Sequence, residues 1–152
     1  MTRRRLRVAV LLLVAALACA CPSSTASTAP EAWVEIGRQR VAVDLALTPE
    51  EQQLGLGGRD ALPWDEGMYF VYERSALYGF WMKGMRFPID IVWIRSGRIV
   101  DISAQVPFVP GENGPTVRPR EAVDAVLEVP AGYANANGWR IGDRVQLTRN
   151  DG

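Results

Sequence analysis

Two side chains in one short block could do chemistry that a merely structural strand does not need. The block is Phe80-Trp81-Met82-Lys83-Gly84-Met85-Arg86-Phe87-Pro88-Ile89-Asp90-Ile91-Val92-Trp93, and Lys83 is the sole lysine in a chain with sixteen arginines. A lysine is a compact point charge whose pKa moves readily on burial, which arginine cannot offer. Asp90 lies in Ile89-Asp90-Ile91-Val92-Trp93-Ile94, where alternation puts Ile89, Ile91 and Trp93 on one face and Asp90, Val92 and Ile94 on the other. Both faces are apolar, so the strand is expected to be covered on both sides and Asp90 at least partly buried. A buried, unpaired carboxylate costs several kcal/mol, so Asp90 must be paired or protonated. Lys83, Arg59 and Arg86 are candidate partners; the alternative is that Asp90 caps a turn after Pro88 or accepts backbone N–H bonds. Lys83 has its own plain alternative, the solvated end of an edge strand.

Other acids near aromatic residues are Asp65 and Glu66 before Gly67, and Glu128 in Val126-Leu127-Glu128-Val129. Acids of this kind are mostly solvated. A pair could perform glycosidic acid–base work only if held across a cleft at about 5–10 Å. Nine of the thirteen aromatic residues fall between Trp64 and Trp93, as a core would require, or as an aromatic-lined cleft for flat ligands would. The acids do not follow a calcium-loop pattern.

What is missing excludes whole reaction classes. The chain has no histidine, and its two cysteines, Cys19 and Cys21, both lie near the N-terminus. A Ser-His-Asp triad, a Cys-His pair and the usual His or Cys zinc sites are therefore excluded from the folded domain. No catalytic residue, cofactor or metal-ligand set is assigned from the sequence.

The N-terminus reads as an export signal over residues 1–20: Arg3, Arg4, Arg5 and Arg7, then the apolar run Val8 to Ala18, then small residues. The run is too short to span a bilayer, which takes roughly 20 residues. Cys21, or Cys19, stands where a bacterial lipoprotein would receive its lipid, against ordinary cleavage after Ala20. Residues 21–31 form a Ser/Thr/Pro/Ala tether, and residues 32–150 a single domain. Removing the signal leaves 13 basic groups against 17 acidic ones, a net charge of about −4, which argues against nucleic acid. The expected setting is the periplasm or cell envelope. The expected partners are the membrane, through a lipid, and an unidentified small molecule or envelope protein.

The elements that must position Lys83 and Asp90 follow from local patterning. Trp33–Ile36 and Val41–Leu47 alternate around Gly37 as a hairpin. Thr48-Pro49-Glu50-Glu51 opens a helix with a capping box and proline at its first position, and Gly55, Gly57 and Gly58 end it. Further strands are expected at Gly67–Tyr72, in the Phe80 block, at Ile89–Ile94 and, across Ser96-Gly97, at Arg98–Val106. A Pro/Gly-rich loop follows, then a strand at Ala125–Val129, a short helix at Ala131–Asn137 and a last strand at Arg144–Arg149. The expected fold is α+β, mainly β: one compact domain of short strands, as an open sheet or a barrel, with two short helices. Parallel βαβ winding would require longer helices than these.

Several segments together resemble the DUF192 (UPF0127) family, small domains often found behind a signal peptide and without an established activity. They are Thr48 to Leu56 with Arg59 and Leu62, Glu66 to Tyr72, Phe80-Trp81-Met82-Lys83 with Pro88-Ile89-Asp90-Ile91, and Val126 to Gly132 leading to Gly142-Asp143-Arg144-Val145. The family often has Asn-Thr after the lysine, where Gly84-Met85 stands here. The resemblance implies a compact mainly-β α+β fold, and it places Arg59, Trp81, Lys83 and Asp90 at motif positions that would form a ligand pocket. Together these readings favour an exported, membrane-tethered accessory or ligand-binding domain. The alternatives are a protein-interaction module and a carboxylate-based enzyme acting on glycans.

Overall fold

The computed structural model describes residues 29–150, so the expected signal, Cys19, Cys21 and most of the expected tether lie outside the described residues. The elements are β1 (Ala32–Ile36), β2 (Gln39–Ala46), α1 (Pro49–Leu54), β3 (Glu66–Ala76), β4 (Phe80–Trp81) and β5 (Ile89–Arg95). They continue with β6 (Arg98–Val106), β7 (Thr116–Val117), β8 (Val123–Pro130), α2 (Tyr133–Ala136) and β9 (Val145–Arg149). The domain is α+β and mainly β. No described helix is long and apolar enough to cross a membrane. Just before β1, the Glu31 carboxylate accepts the Leu45 N–H at 2.9 Å, and its carbonyl accepts the Asn150 N–H at 3.0 Å.

Seven strands form one sheet in the order β6-β5-β8-β3-β2-β1-β9. The β5–β6 hairpin turns on Ser96 and Gly97, both at positive φ (50° and 69°), the left-handed pair that a tight two-residue turn needs. All pairings in this sheet are antiparallel except β2 with β3, which run parallel across a crossover containing α1. Such winding needs no long helix here, because six helical residues with flanking loops cover the distance. The two edge strands approach at one end, where Ile99 N–H reaches the Asp143 carbonyl at 3.0 Å and Val145 N–H the Gly97 carbonyl at 2.9 Å. Beyond the Arg98–Arg144 bridge they do not pair, so the sheet curls without closing into a barrel.

Two apolar clusters lie on the two faces of the central strands. Val92, Ile94, Leu127 and Val129 face a cluster capped by Tyr133, Ala134 and Trp139. Ile89, Ile91, Trp93 and Val126 face the other, which holds Phe70, Phe80, Met82, Leu56 and Met85. Each large side chain fully removed from water contributes about 1.5–3 kcal/mol, so β5, with six consecutive buried residues, anchors both cores.

Three local differences from the sequence reading matter for the site. The Phe80 block supplies a strand of only two residues, β4, because Gly84 at φ 72° turns the chain away before Pro88. Its partner β7 lies inside the Pro/Gly-rich segment, pairing Phe80 with Val117 and Trp81 with Thr116. β3 runs on to Ala76, beyond Tyr72, with an irregular register against β8 between Val71 and Ala76. Helix α1 starts as its residues dictate: Glu51 N–H donates to Thr48 Oγ1 at 3.2 Å, and the Glu51 carboxylate accepts the Thr48 N–H at 2.9 Å.

Candidate functional site

Glu128 is placed by the alternation of β8. Val126 and Glu128 point to the Phe70–Phe80 side of the sheet, while Leu127 and Val129 point to the other. Its strand is flanked on both sides, with Met68 of β3 and Ile91 of β5 opposite it, so no route to bulk water runs sideways. The side chain is 5% exposed, and its Oε2 atom has no hydrogen-bond partner. An unsatisfied buried polar atom of this kind costs about 1–3 kcal/mol, and native folds keep few of them.

That carboxyl faces a pocket of about 220 Å³. Phe70, Tyr72, Phe80 and Met85 supply its apolar walls, and Gln53 and Leu54 approach from the end of α1. Trp81 and Lys83 stand at its mouth, both exposed. The walls are rigid by packing: Phe80 meets Phe70 edge-on at 4.9 Å and Trp93 edge-on at 5.3 Å, while Tyr72 stacks on Tyr78 at 3.7 Å. A shallower hollow shares Gln53, Leu54, Trp81 and Lys83 and continues over Gly57, Gly58 and Gly84. Gly55, at φ 52°, ends α1 directly above the carboxyl; a Cβ there would stand 3.4 Å from Phe70 Cζ and 3.8 Å from Glu128 Oε2. Those are ordinary contacts, so it is the positive φ that favours glycine here.

Burial pushes the Glu128 carboxyl up to about 8, against a smaller downward pull from the Arg59 guanidinium. At neutral pH it is mainly a neutral acid. Tyr72, also raised, owes its shift to burial first and then to Tyr78 and Glu128 beside it. A buried acid of perturbed pKa in an aromatic-walled pocket with a cation at its mouth is a functional-site signature.

The four site residues singled out in the sequence separate in space. Trp81 and Lys83 line the pocket, and the Lys83 Nζ lies 5.5 Å from the Trp81 ring centroid. Arg59 does not line it; its Nη2 pairs with Asp44 Oδ2 at 2.7 Å and acts on Glu128 only through its field. Asp90 is on the opposite face of the sheet and wholly buried. None of Lys83, Arg59 or Arg86 is its partner. Its Oδ1 accepts the N–H groups of Gln105 at 2.7 Å and Gly132 at 2.9 Å, and its Oδ2 accepts Ala134 N–H at 2.9 Å. The carboxylate therefore ties β5 to the β6 bulge at Gln105 and supplies the N-terminus of α2 with the acceptor that its own Gly132 cap lacks. Backbone bonding, the alternative weighed for Asp90 in the sequence, is what the fold uses.

Glu128, whose type and setting in the sequence suggest a solvated acid, is buried instead. The signal was present: Val126-Leu127-Glu128-Val129 has apolar residues on both alternating faces, the same pattern that marked Asp90 as buried. Asp65 and Glu66 are exposed and Asp90 faces away, so of these acids only Glu128 lines the pocket. The paired carboxylates of a glycosidase are not assembled there. Among the described residues no cluster of three or more His, Cys, Asp or Glu side chains could hold a metal ion.

Comparison with known proteins gives three findings. The DUF192 family model, described as an uncharacterized ACR, matches residues 32–147. A crystal structure of a candidate transcription regulator from Sinorhizobium meliloti 1021 superposes with a TM-score of 0.70 at 30% identity, covering 79% of this chain and 96% of that one. A crystal structure of a protein of unknown function from Novosphingobium aromaticivorans DSM 12444 gives a TM-score of 0.69 at 31% identity, over 75% of this chain and 83% of that one. No curated protein matches the chain.

Proposed function

Because this chain belongs to the DUF192 family, whose domain occupies nearly all of its described residues, we propose that the domain binds a small organic molecule in the Glu128 pocket without turning it over. The observation that carries this reading is the orphaned Glu128 Oε2 facing an aromatic-walled cavity of about 220 Å³. That volume admits a ligand smaller than the usual drug-sized occupant, whose pockets run from about 300 Å³ upward. The pocket offers one deep hydrogen-bonding acid, apolar walls and one cation at the mouth. It contains neither a nucleophile paired with a base nor a second carboxylate, which is why binding is favoured over catalysis.

The test is a ligand-observed and protein-observed NMR screen of small organic molecules, with Gly55 and the Trp81 indole N–H as reporters. Compounds that shift both signals, and lose that effect in Glu128→Leu, are the expected result. A screen in which bound compounds never move these signals refutes the reading. Turnover of any bound compound that disappears in Glu128→Gln refutes its non-catalytic part.

A protein partner is the second reading, favoured by Leu54 (67% exposed) and Trp81 (47% exposed) flanking the mouth. In that arrangement a partner's side chain would enter the pocket. The basic start, the short apolar run and the cysteines at its exit support placing this domain outside the cytoplasmic membrane, tethered through Cys21.

A further inference from the structure

We infer that the pocket takes a small amino-carboxylic acid, with its ammonium group directed at Glu128 and its carboxylate at Lys83. This rests on the pocket reading above and names the ligand class for it.

Arg59, the cation acting on Glu128 from beside α1, is already balanced by Asp44 at 2.7 Å. Arg86, beyond the Lys83 turn, is balanced by Asp60. Among the described residues this leaves two ionisable side chains of the pocket without an ion-pair partner, the protonated Glu128 inside and the Lys83 ammonium at the mouth. They line one cavity yet do not pair with each other, because Lys83 stands over the Trp81 ring while Glu128 is held in the sheet. An amino-carboxylic acid bridges them by bringing an ammonium to the inner end, against which Glu128 ionises, and a carboxylate to the outer one.

The walls select the same orientation. Phe70, Tyr72 and Phe80 line the space in front of Glu128, and aromatic rings add a cation–π attraction to a desolvated ammonium. A carboxylate placed there would be desolvated among aromatic rings, with only the protonated Glu128 to donate to it and no cation lining the inner end. Lys83, exposed and solvated, suits the outer carboxylate, which keeps part of its hydration. Arg59, from the loop after α1, and Tyr72, from β3, act with Glu128 electrostatically, and Lys83, from the turn after β4, lines the same cavity; β5 presents Ile89, Ile91 and Trp93 on this side.

Binding then has a proton signature. Before binding at pH 6.5, Glu128 carries a proton. An arriving ammonium favours the ionised carboxylate, so the Glu128 O–H bond breaks, the proton leaves to solvent, and a charge-assisted hydrogen bond forms.

The experiment is titration calorimetry of the purified protein at pH 6.5 in two buffers of different ionisation enthalpy. The probes are leucine, phenylalanine and γ-aminobutyrate, the matching amines without a carboxylate, the matching carboxylates without an amine, and a neutral lactam. The expected result is binding of at least one amino acid with release of about one proton per ligand. That release is lost in Glu128→Gln. The preference for the amino acid over its amine falls about three- to tenfold in Lys83→Ala, which keeps the proton release. Carboxylates or the lactam binding as well as the amino acids, with no proton released, overturns this ligand class and leaves the pocket reading standing. Binding of amines and amino acids with equal affinity overturns the role of Lys83. Binding of no probe overturns the inference, and the NMR screen then decides the pocket reading separately.

Discussion

Replacing Glu128 by glutamine should stabilise the protein, and the size of the gain should depend on pH. Folded Glu128 titrates at about 8, against an ordinary value of 4.5. Its folded pKa is raised, so the folded state holds a proton that the unfolded chain has already released. The stability this group leaves intact is full below pH 4.5 and is lost as pH climbs from 4.5 toward 8, where the loss stops growing. At 1.36 kcal/mol per pKa unit, the loss at pH 7 is about 3 kcal/mol, a substantial share of a domain's usual 5–15 kcal/mol. Glutamine has the same shape and no titration, so the variant should match the parent at pH 4.5. It should exceed the parent by about 3 kcal/mol at pH 7, the difference growing by about 1.4 kcal/mol per pH unit in between. Urea unfolding of both proteins at half-unit steps from pH 4.5 to 8.5 measures this directly. Parallel profiles, or a variant less stable than the parent at neutral pH, would show that native Glu128 is ionised and paired, and the reasoning would fail.

The opposite sign is expected at Asp90. In Asp90→Asn the remaining oxygen can serve Gln105 and Gly132, but the new amide nitrogen faces the Ala134 N–H, donor against donor, so stability should fall by about 2–3 kcal/mol in the same urea assay. Because Asp90 lies across the sheet from the pocket, ligand affinity of the folded fraction should not change; loss of binding with unchanged stability would contradict this assignment. Cys21→Ser in cells should abolish incorporation of a labelled fatty acid into the protein, and label that persists in this variant while vanishing in Cys19→Ser would move the attachment point.

The order and type of most elements were legible because they depend on neighbours in sequence. Thr48-Pro49-Glu50-Glu51 caps a helix through its own side chains, and Gly97 supplies the positive φ that marks the hairpin, although Ser96, at φ 50°, is also held by the Asp124 carboxylate. The two-sided burial of β5 was equally readable, since alternation with apolar residues on both faces admits no other position in a sheet. The same rule, applied evenly, would have marked Glu128. Missed elements were those whose stability comes from a distant partner. The two-residue β4 and β7 exist only because they meet each other, and the parallel β2–β3 pairing depends on how the crossover packs.

From sequence alone, then, came the removal of histidine and cysteine chemistry from the domain, the mainly-β α+β class and the family. Residue inventory and short-range periodicity are sufficient for those. Only tertiary structure decided that Asp90 and Lys83, seven residues apart in the chain, serve opposite faces of one sheet, and that Glu128, far along the chain, is the acid in the pocket with Lys83. A carboxylate's role is set by which donors and which dielectric surround it. Asp90 finds three backbone N–H groups and becomes a structural tie, whereas Glu128 finds aromatic rings and a cavity, and its Oε2 has no hydrogen-bond partner.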